Sequence, residues 1–172
     1  MRIPIIWGNS ICILGCAFAV CLVAIAPDVN EVSLRLLLYL VAWASLVVFP
    51  HCLAHFVVGR SVGIRFSNYS IAHSSIVKLR MPVVSAVAAK APVLTLNIEK
   101  GSLRTTSRGR RAAMFASGAA ASVIFPFFVA VSSLSHLPTD LSFLLFILST
   151  ANLVFDFYYS PKAGDLSRIL VA

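Results

Sequence analysis

Residues 32–58 read VSLRLLLYLVAWASLVVFPHCLAHFVV, and this stretch decides the fold. Its one formally charged side chain is Arg35. About 20 consecutive apolar residues suffice to cross the hydrocarbon core of a membrane, so the stretch predicts a transmembrane helix. Arg35 lies near one end, where a long side chain can extend its charge to the head groups.

The rest of the chain has the same apolar character. Its 172 residues are 59% hydrophobic and 12% charged, which is about half the charged fraction of soluble domains. We therefore predict an all-α membrane protein that forms one integral membrane domain over residues 1–172. The first apolar run is interpreted as a retained span, because it exceeds the roughly 7–15 residues of a signal-peptide core. The four predicted transmembrane helices cover about residues 3–26, 32–58, 112–134 and 141–157.

The net charge of +8 is distributed between these spans. Residues 59–111 contain ten basic residues and one acid, Glu99, whereas the turns at 27–31 and 135–140 contain only acids. The positive-inside rule then predicts a multi-pass protein whose two termini and residues 59–111 are cytoplasmic. Because this rule accounts for the basic residues, we do not expect nucleic acid as a partner.

Residues 59–111 are neither a span nor a simple linker. Short β-prone stretches lie between Gly, Pro, Ser and Asn residues, which predicts a small β-rich cytoplasmic segment between spans two and three. Residues 83–89 are apolar but too short to cross. Residues 101–111 are basic, and we expect them to be flexible and to contact anionic membrane lipids. The β-prone positions are Ile64, Phe66, Val77, Leu79, Val93, Leu94, Leu96 and Ile98.

A pair of histidines lies inside the second span. His51 and His55 are four residues apart, so they share one helix face, and ionisable residues inside a membrane usually mark function. Asp165 follows the fourth span and is expected on the same side of the membrane. Two histidines and one carboxylate give the ligand count of a catalytic zinc site with an open fourth position. Asp156, one helical turn after Asn152, is the other candidate for the third ligand or for a partner of a ligating histidine.

The order of these motifs resembles the site-2 protease family, the intramembrane zinc metallopeptidases. HCLAH at 51–55 is similar to the family's H-E-x-x-H helix, and a β-prone segment follows it. GRRAAMFASGAAAS at 109–122 is similar to the A-G-P-x-A-N helix. The stretch from Asn152 to Leu170 is similar to the N-x-x-P…D-G-x-x-L ending. The resemblance covers about residues 34–170.

The resemblance implies zinc bound by His51, His55 and an aspartate, for which we expect Asp165. In the family, the residue after the first histidine is the glutamate that activates water. This general-base position holds Cys52, and we assign no catalytic residue. We expect a metal-binding relative with lost or weakened peptidase activity that binds a transmembrane partner or substrate. Two alternatives stay open: an active intramembrane zinc metalloprotease, and a small four-span subunit of a larger membrane complex with no metal.

Overall fold

A computed structural model describes residues 2–73, 92–165 and 167. Within this part of the chain, four helices are long and apolar enough to cross a membrane, as predicted. These helices are α1 (Ile5–Ile25), α2 (Val32–Ser61), α4 (Arg108–Ser133) and α5 (Thr139–Ala163), and a 3-10 turn, Ala26–Asp28, follows α1. The remaining elements are the strands β1 (Arg2–Ile3), β2 (Phe66–His73) and β3 (Pro92–Ile98), and the short helix α3 (Lys100–Thr105).

The ends of α2 are defined by local chemistry. The carboxylate of Glu31 accepts hydrogen bonds from the backbone N–H groups of Ser33 and Leu34, at 3.2 and 2.6 Å. These contacts satisfy N–H groups that have no partner within the helix. The pKa of the Glu31 carboxyl is lowered, first by a hydrogen bond with the Ser33 side chain and then by the backbone N–H of Leu34. After the other end, Gly63 adopts φ of 89°, a left-handed conformation that glycine tolerates without a steric cost. The chain thereby turns from α2 toward β2.

The four long helices pack in a row in the order α1, α2, α4, α5. Their shared core contains the buried side chains of Tyr39, Leu46, Val129 and Leu145. Polar contacts also cross this core, because a polar group in an apolar interior needs a partner. The indole N–H of Trp43 donates to Ser149 Oγ at 3.0 Å and so connects α2 with α5.

Within the described residues, a three-stranded antiparallel sheet with the strand order β1-β2-β3 lies where α1 begins and α2 ends. Tyr69 of β2 is fully buried, and its hydroxyl donates to Asn9 Oδ1 of α1 at 2.7 Å. Burial raises the pKa of Tyr69 above its ordinary value. The ring lies where a Cβ on Gly8 would be, so the absence of a side chain at Gly8 lets the sheet approach α1. The sheet positions β3 beside α2.

The structure differs from the sequence expectation in three elements. β1 uses Arg2–Ile3, so the sheet is not confined to the segment between the second and third spans. Helix α3 lies in a stretch that we expected to be flexible. Helix α5 continues through Pro161 to Ala163, beyond the expected end at residue 157. The candidate strand positions Val77 and Leu79 and the apolar run 83–89 lie outside the described residues.

Candidate metal centre

Three side chains converge where α2 meets the end of α5. The Nε2 atoms of His51 and His55 are 3.2 Å apart. Asp165 Oδ2 lies 3.1 Å from the first and 2.9 Å from the second. The structure therefore brings together the three residues that the sequence indicated as ligands, and this group could hold a metal ion.

The contacts of the other ring nitrogens determine where each imidazole carries its proton. His55 Nδ1 lies 2.7 Å from the backbone carbonyl of Met114. A carbonyl oxygen only accepts hydrogen bonds, so Nδ1 of His55 must donate. His51 Nδ1 lies 2.8 Å from Ser122 Oγ, and this hydroxyl donates its own proton to the Gly118 carbonyl at 3.1 Å. His51 Nδ1 therefore donates as well, and in the neutral rings both Nε2 atoms present lone pairs.

Two imidazole lone pairs and a carboxylate oxygen around one point need a positive partner between them. Tetrahedral zinc with bonds of about 2.0–2.1 Å separates its ligand atoms by roughly 3.3 Å. The observed separations of 2.9–3.2 Å are close to this value, so the donor set fits a small divalent cation.

Space for His55 is provided by a glycine on the neighbouring helix. A Cβ built on Gly118 of α4 would collide with the His55 imidazole ring. The missing side chain lets α4 approach α2 closely enough for the Met114 carbonyl to reach Nδ1. Gly118 also supplies the carbonyl that receives the proton of Ser122. One glycine thereby contributes to the placement of both histidines.

The three side chains differ in exposure. The side chain of His55 is 10% exposed and that of Asp165 is 19% exposed, whereas the side chain of His51 is 34% exposed. His51 is therefore the least enclosed of the three candidate ligands.

The side chain of Cys52, which occupies the position of the general base, points toward β3. Its thiol donates to the Leu94 carbonyl of β3 at 3.1 Å, and the side chain is buried in a cluster with Cys12 and Tyr69. Successive positions on a helix point about 100° apart, so a side chain next to His51 is turned toward the sheet. Cys52 thus connects α2 with β3.

The polar residues of α5 have different partners. Asp156 interacts electrostatically with His51 but does not belong to the group of three converging ligand atoms. Asn152 donates from Nδ2 to the Ser122 carbonyl at 2.9 Å. Asn152 thus contacts the residue whose hydroxyl lies beside His51, and Asp165 supplies the carboxylate of the group.

The groups that orient the imidazole rings of His51 and His55 were not predicted from the sequence. Ser122 lies 71 residues from His51 in the sequence. The partner of His55 is a backbone carbonyl, a group that every residue type has. The available signal was the small-residue stretch at 109–122, in which Gly118 and Ser122 occupy one face, four positions apart. Small residues at such spacing allow close approach of membrane helices.

Comparisons of the chain with protein-family models, with curated proteins and with solved structures find no match. The resemblance to the site-2 protease family therefore depends on the motifs quoted above.

Proposed function

We propose that this chain is a site-2-protease-like intramembrane protein that binds zinc and has lost or weakened peptidase activity. The observation that carries the proposal is the convergence of His51 Nε2, His55 Nε2 and Asp165 Oδ2 within 3.2 Å of one another. Two nitrogen ligands and one oxygen ligand suit zinc in ligand type and count. When bound, zinc would supply the positive charge that this cluster of acceptors needs.

Reduced peptidase activity follows from the chemistry at Cys52. Hydrolysis of a peptide bond needs a group that takes a proton from the attacking water and returns it to the leaving amine, and such a group contributes about 10²–10⁴ in rate. The thiol of Cys52 is engaged with the Leu94 carbonyl. The thiol is therefore not available to take a proton from a water molecule at the centre.

We further propose that the four long helices span a membrane, with residues 59–111 in the cytoplasm, and that a transmembrane protein is the partner. Large apolar side chains are exposed along α5, including Phe143 and Val154 at 64% and 62%, as expected of a surface in contact with lipid or another helix. Exposed arginines around α3 and the start of α4, such as Arg104 and Arg108, would attract anionic lipid head groups.

The decisive test is the zinc content of the purified protein. Wild type should contain about one zinc per chain, the content expected of one three-ligand site. His51→Ala and His55→Ala should each lose most of this zinc. His136→Ala is the matched control, because His136 is exposed in the turn before α5. Equal zinc in wild type, His51→Ala and His55→Ala would refute the proposed site.

An active intramembrane zinc protease is the second candidate, and one observation favours it. The partial exposure of His51 leaves room for an exchangeable ligand, which catalysis requires and a purely structural site does not. Zinc content does not separate the two candidates, because both need the metal. A cleavage assay does separate them.

A further inference from the structure

Ser122 of α4 makes three polar contacts through its hydroxyl group and its backbone carbonyl. Its hydroxyl oxygen lies 2.8 Å from His51 Nδ1, and the hydroxyl donates to the Gly118 carbonyl at 3.1 Å. Its backbone carbonyl accepts from Asn152 Nδ2 of α5 at 2.9 Å. The residue is buried. Ser122 is therefore fixed between the helix that carries the histidines and the helix that leads to Asp165.

The direction of these hydrogen bonds has a chemical consequence for His51. A hydroxyl has one proton to donate, and in Ser122 this proton is committed to its own helix. The hydroxyl can then only accept from the imidazole, which places the proton of the neutral ring on Nδ1 and leaves Nε2 as the ligand atom. His51 is the more exposed of the two histidines, so its ring has fewer neighbours to hold it in one orientation.

We infer that Ser122 is a positioning residue that selects the metal-binding tautomer and orientation of His51. This inference rests on the proposed zinc-binding function and adds to it the group that prepares one of the ligands. Without the hydroxyl, the ring can place its proton on Nε2, which then cannot bind a metal. Partners of this kind typically contribute 10–100-fold to metal affinity.

The test is a zinc titration of metal-depleted full-length protein in detergent, in competition with a chromophoric chelator. Ser122→Ala should bind zinc about 10–100-fold more weakly than wild type. Ser122→Thr keeps the hydroxyl and should bind like wild type. Ser133→Ala is the matched control, because Ser133 is also buried on α4 and its hydroxyl also donates to a carbonyl of its own helix. Wild-type affinity in Ser122→Ala, or loss of affinity in Ser133→Ala to the same extent, would overturn the inference.

A second measurement uses the unaltered protein and does not depend on the folding of a variant. Nitrogen-15 chemical shifts of the His51 ring, assigned by comparison with His51→Ala, report which nitrogen carries a proton. We expect a protonated Nδ1, and an unprotonated Nδ1 would overturn the inference. If wild type takes up no zinc, the proposed function fails. The measured protonation of Nδ1 then still tests whether Ser122 selects the tautomer of His51.

Discussion

At the scale of single residues, the fit of His55 depends on the missing side chain of Gly118. Gly118→Ala would place a methyl group into the imidazole ring, and overpacking of this kind costs about 1–3 kcal/mol. We expect the variant to lose most of its zinc, because displacement of His55 separates Nε2 from the other two ligands. The measurement is zinc per chain, together with the thermal unfolding midpoint.

Gly109→Ala is the control for this substitution. It adds the same methyl group to the same helix, at a position where no atom lies within 4 Å of the new Cβ. Its zinc content should equal that of wild type, and its stability should be unchanged or slightly higher because alanine favours helices. Full zinc content in Gly118→Ala would show that the close approach of α4 is not needed at the centre.

A second prediction concerns Cys52. Cys52→Ala removes the donor to the carbonyl of Leu94, a partly buried residue, and a hydrogen bond of this kind contributes about 0.5–1.5 kcal/mol. Cys52→Ser keeps a donor and should lose less stability. Because the thiol faces β3, both variants should retain zinc. If Cys52→Ala lost zinc while it unfolded at the wild-type temperature, Cys52 would have to be a ligand after all.

The three candidate metal ligands were predictable from the sequence, whereas the residues that support them were not. His51 and His55 are identified by spacing along one helix, and Asp165 by its position after a span that ends on the same side. Ser122 and Gly118 act through one hydroxyl and one absent side chain. Such roles become visible only when the packing of α4 against α2 is known.

At the scale of elements, Arg35 of α2 links the two turns at the end of the bundle opposite the sheet. Its Nε and second terminal nitrogen both donate to the Val29 carbonyl, at 2.9 and 2.5 Å. Its remaining nitrogen donates to the His136 carbonyl. One side chain thereby joins the turn after α1 to the turn before α5. The sequence did not indicate this role, because Arg35 was predicted to contact the head groups.

Arg35→Ala should therefore lower the thermal unfolding midpoint of the protein in detergent. Hydrogen bonds that involve a charged group contribute about 1.5–3 kcal/mol each when buried, and partial exposure reduces this contribution. We expect a total loss of about 1–3 kcal/mol. Arg104→Ala, at an exposed position on α3, should unfold like wild type. Equal midpoints for the two variants would show that Arg35 does not tie the turns together.

Local causes explain which helices and strands could be predicted from hydropathy and which could not. Hydropathy identified four long helices because their apolar runs are uninterrupted. It did not identify β1, because Arg2 and Ile3 form a strand only by pairing with Ser70 and Tyr69 of β2. It also ended α5 too early, because Pro161 removes only one N–H donor near the end of the helix and the extension leads to Asp165.

At the scale of the whole molecule, the proposed orientation in a membrane is testable with two single cysteines. Gly101 lies in α3, where a new Cβ meets no atom within 4 Å, and Ser135 is exposed at the opposite end. With an impermeant maleimide, Gly101→Cys should be labelled only after the cells are opened, and Ser135→Cys in intact cells. Wild type, which carries four cysteines of its own, gives the background. The reverse pattern would place residues 59–111 outside the cytoplasm.

The last prediction is that wild type cleaves a model transmembrane substrate slowly or not at all. The assay uses detergent-purified protein loaded with zinc. The predicted rate is about 10²–10⁴ below that of an enzyme with a positioned general base, since the thiol of Cys52 is held by Leu94 and a buried thiol is a poor proton acceptor.

Two controls decide how a positive result is interpreted. Cleavage that survives a chelator and His51→Ala would come from a contaminating protease and would leave the prediction intact. Rapid cleavage abolished by both treatments would contradict it and would establish the active-protease alternative. The proton acceptor would then have to be a residue other than Cys52. Asp156 would be the first residue to replace, because it is an acid that interacts electrostatically with His51 and does not belong to the three-ligand group.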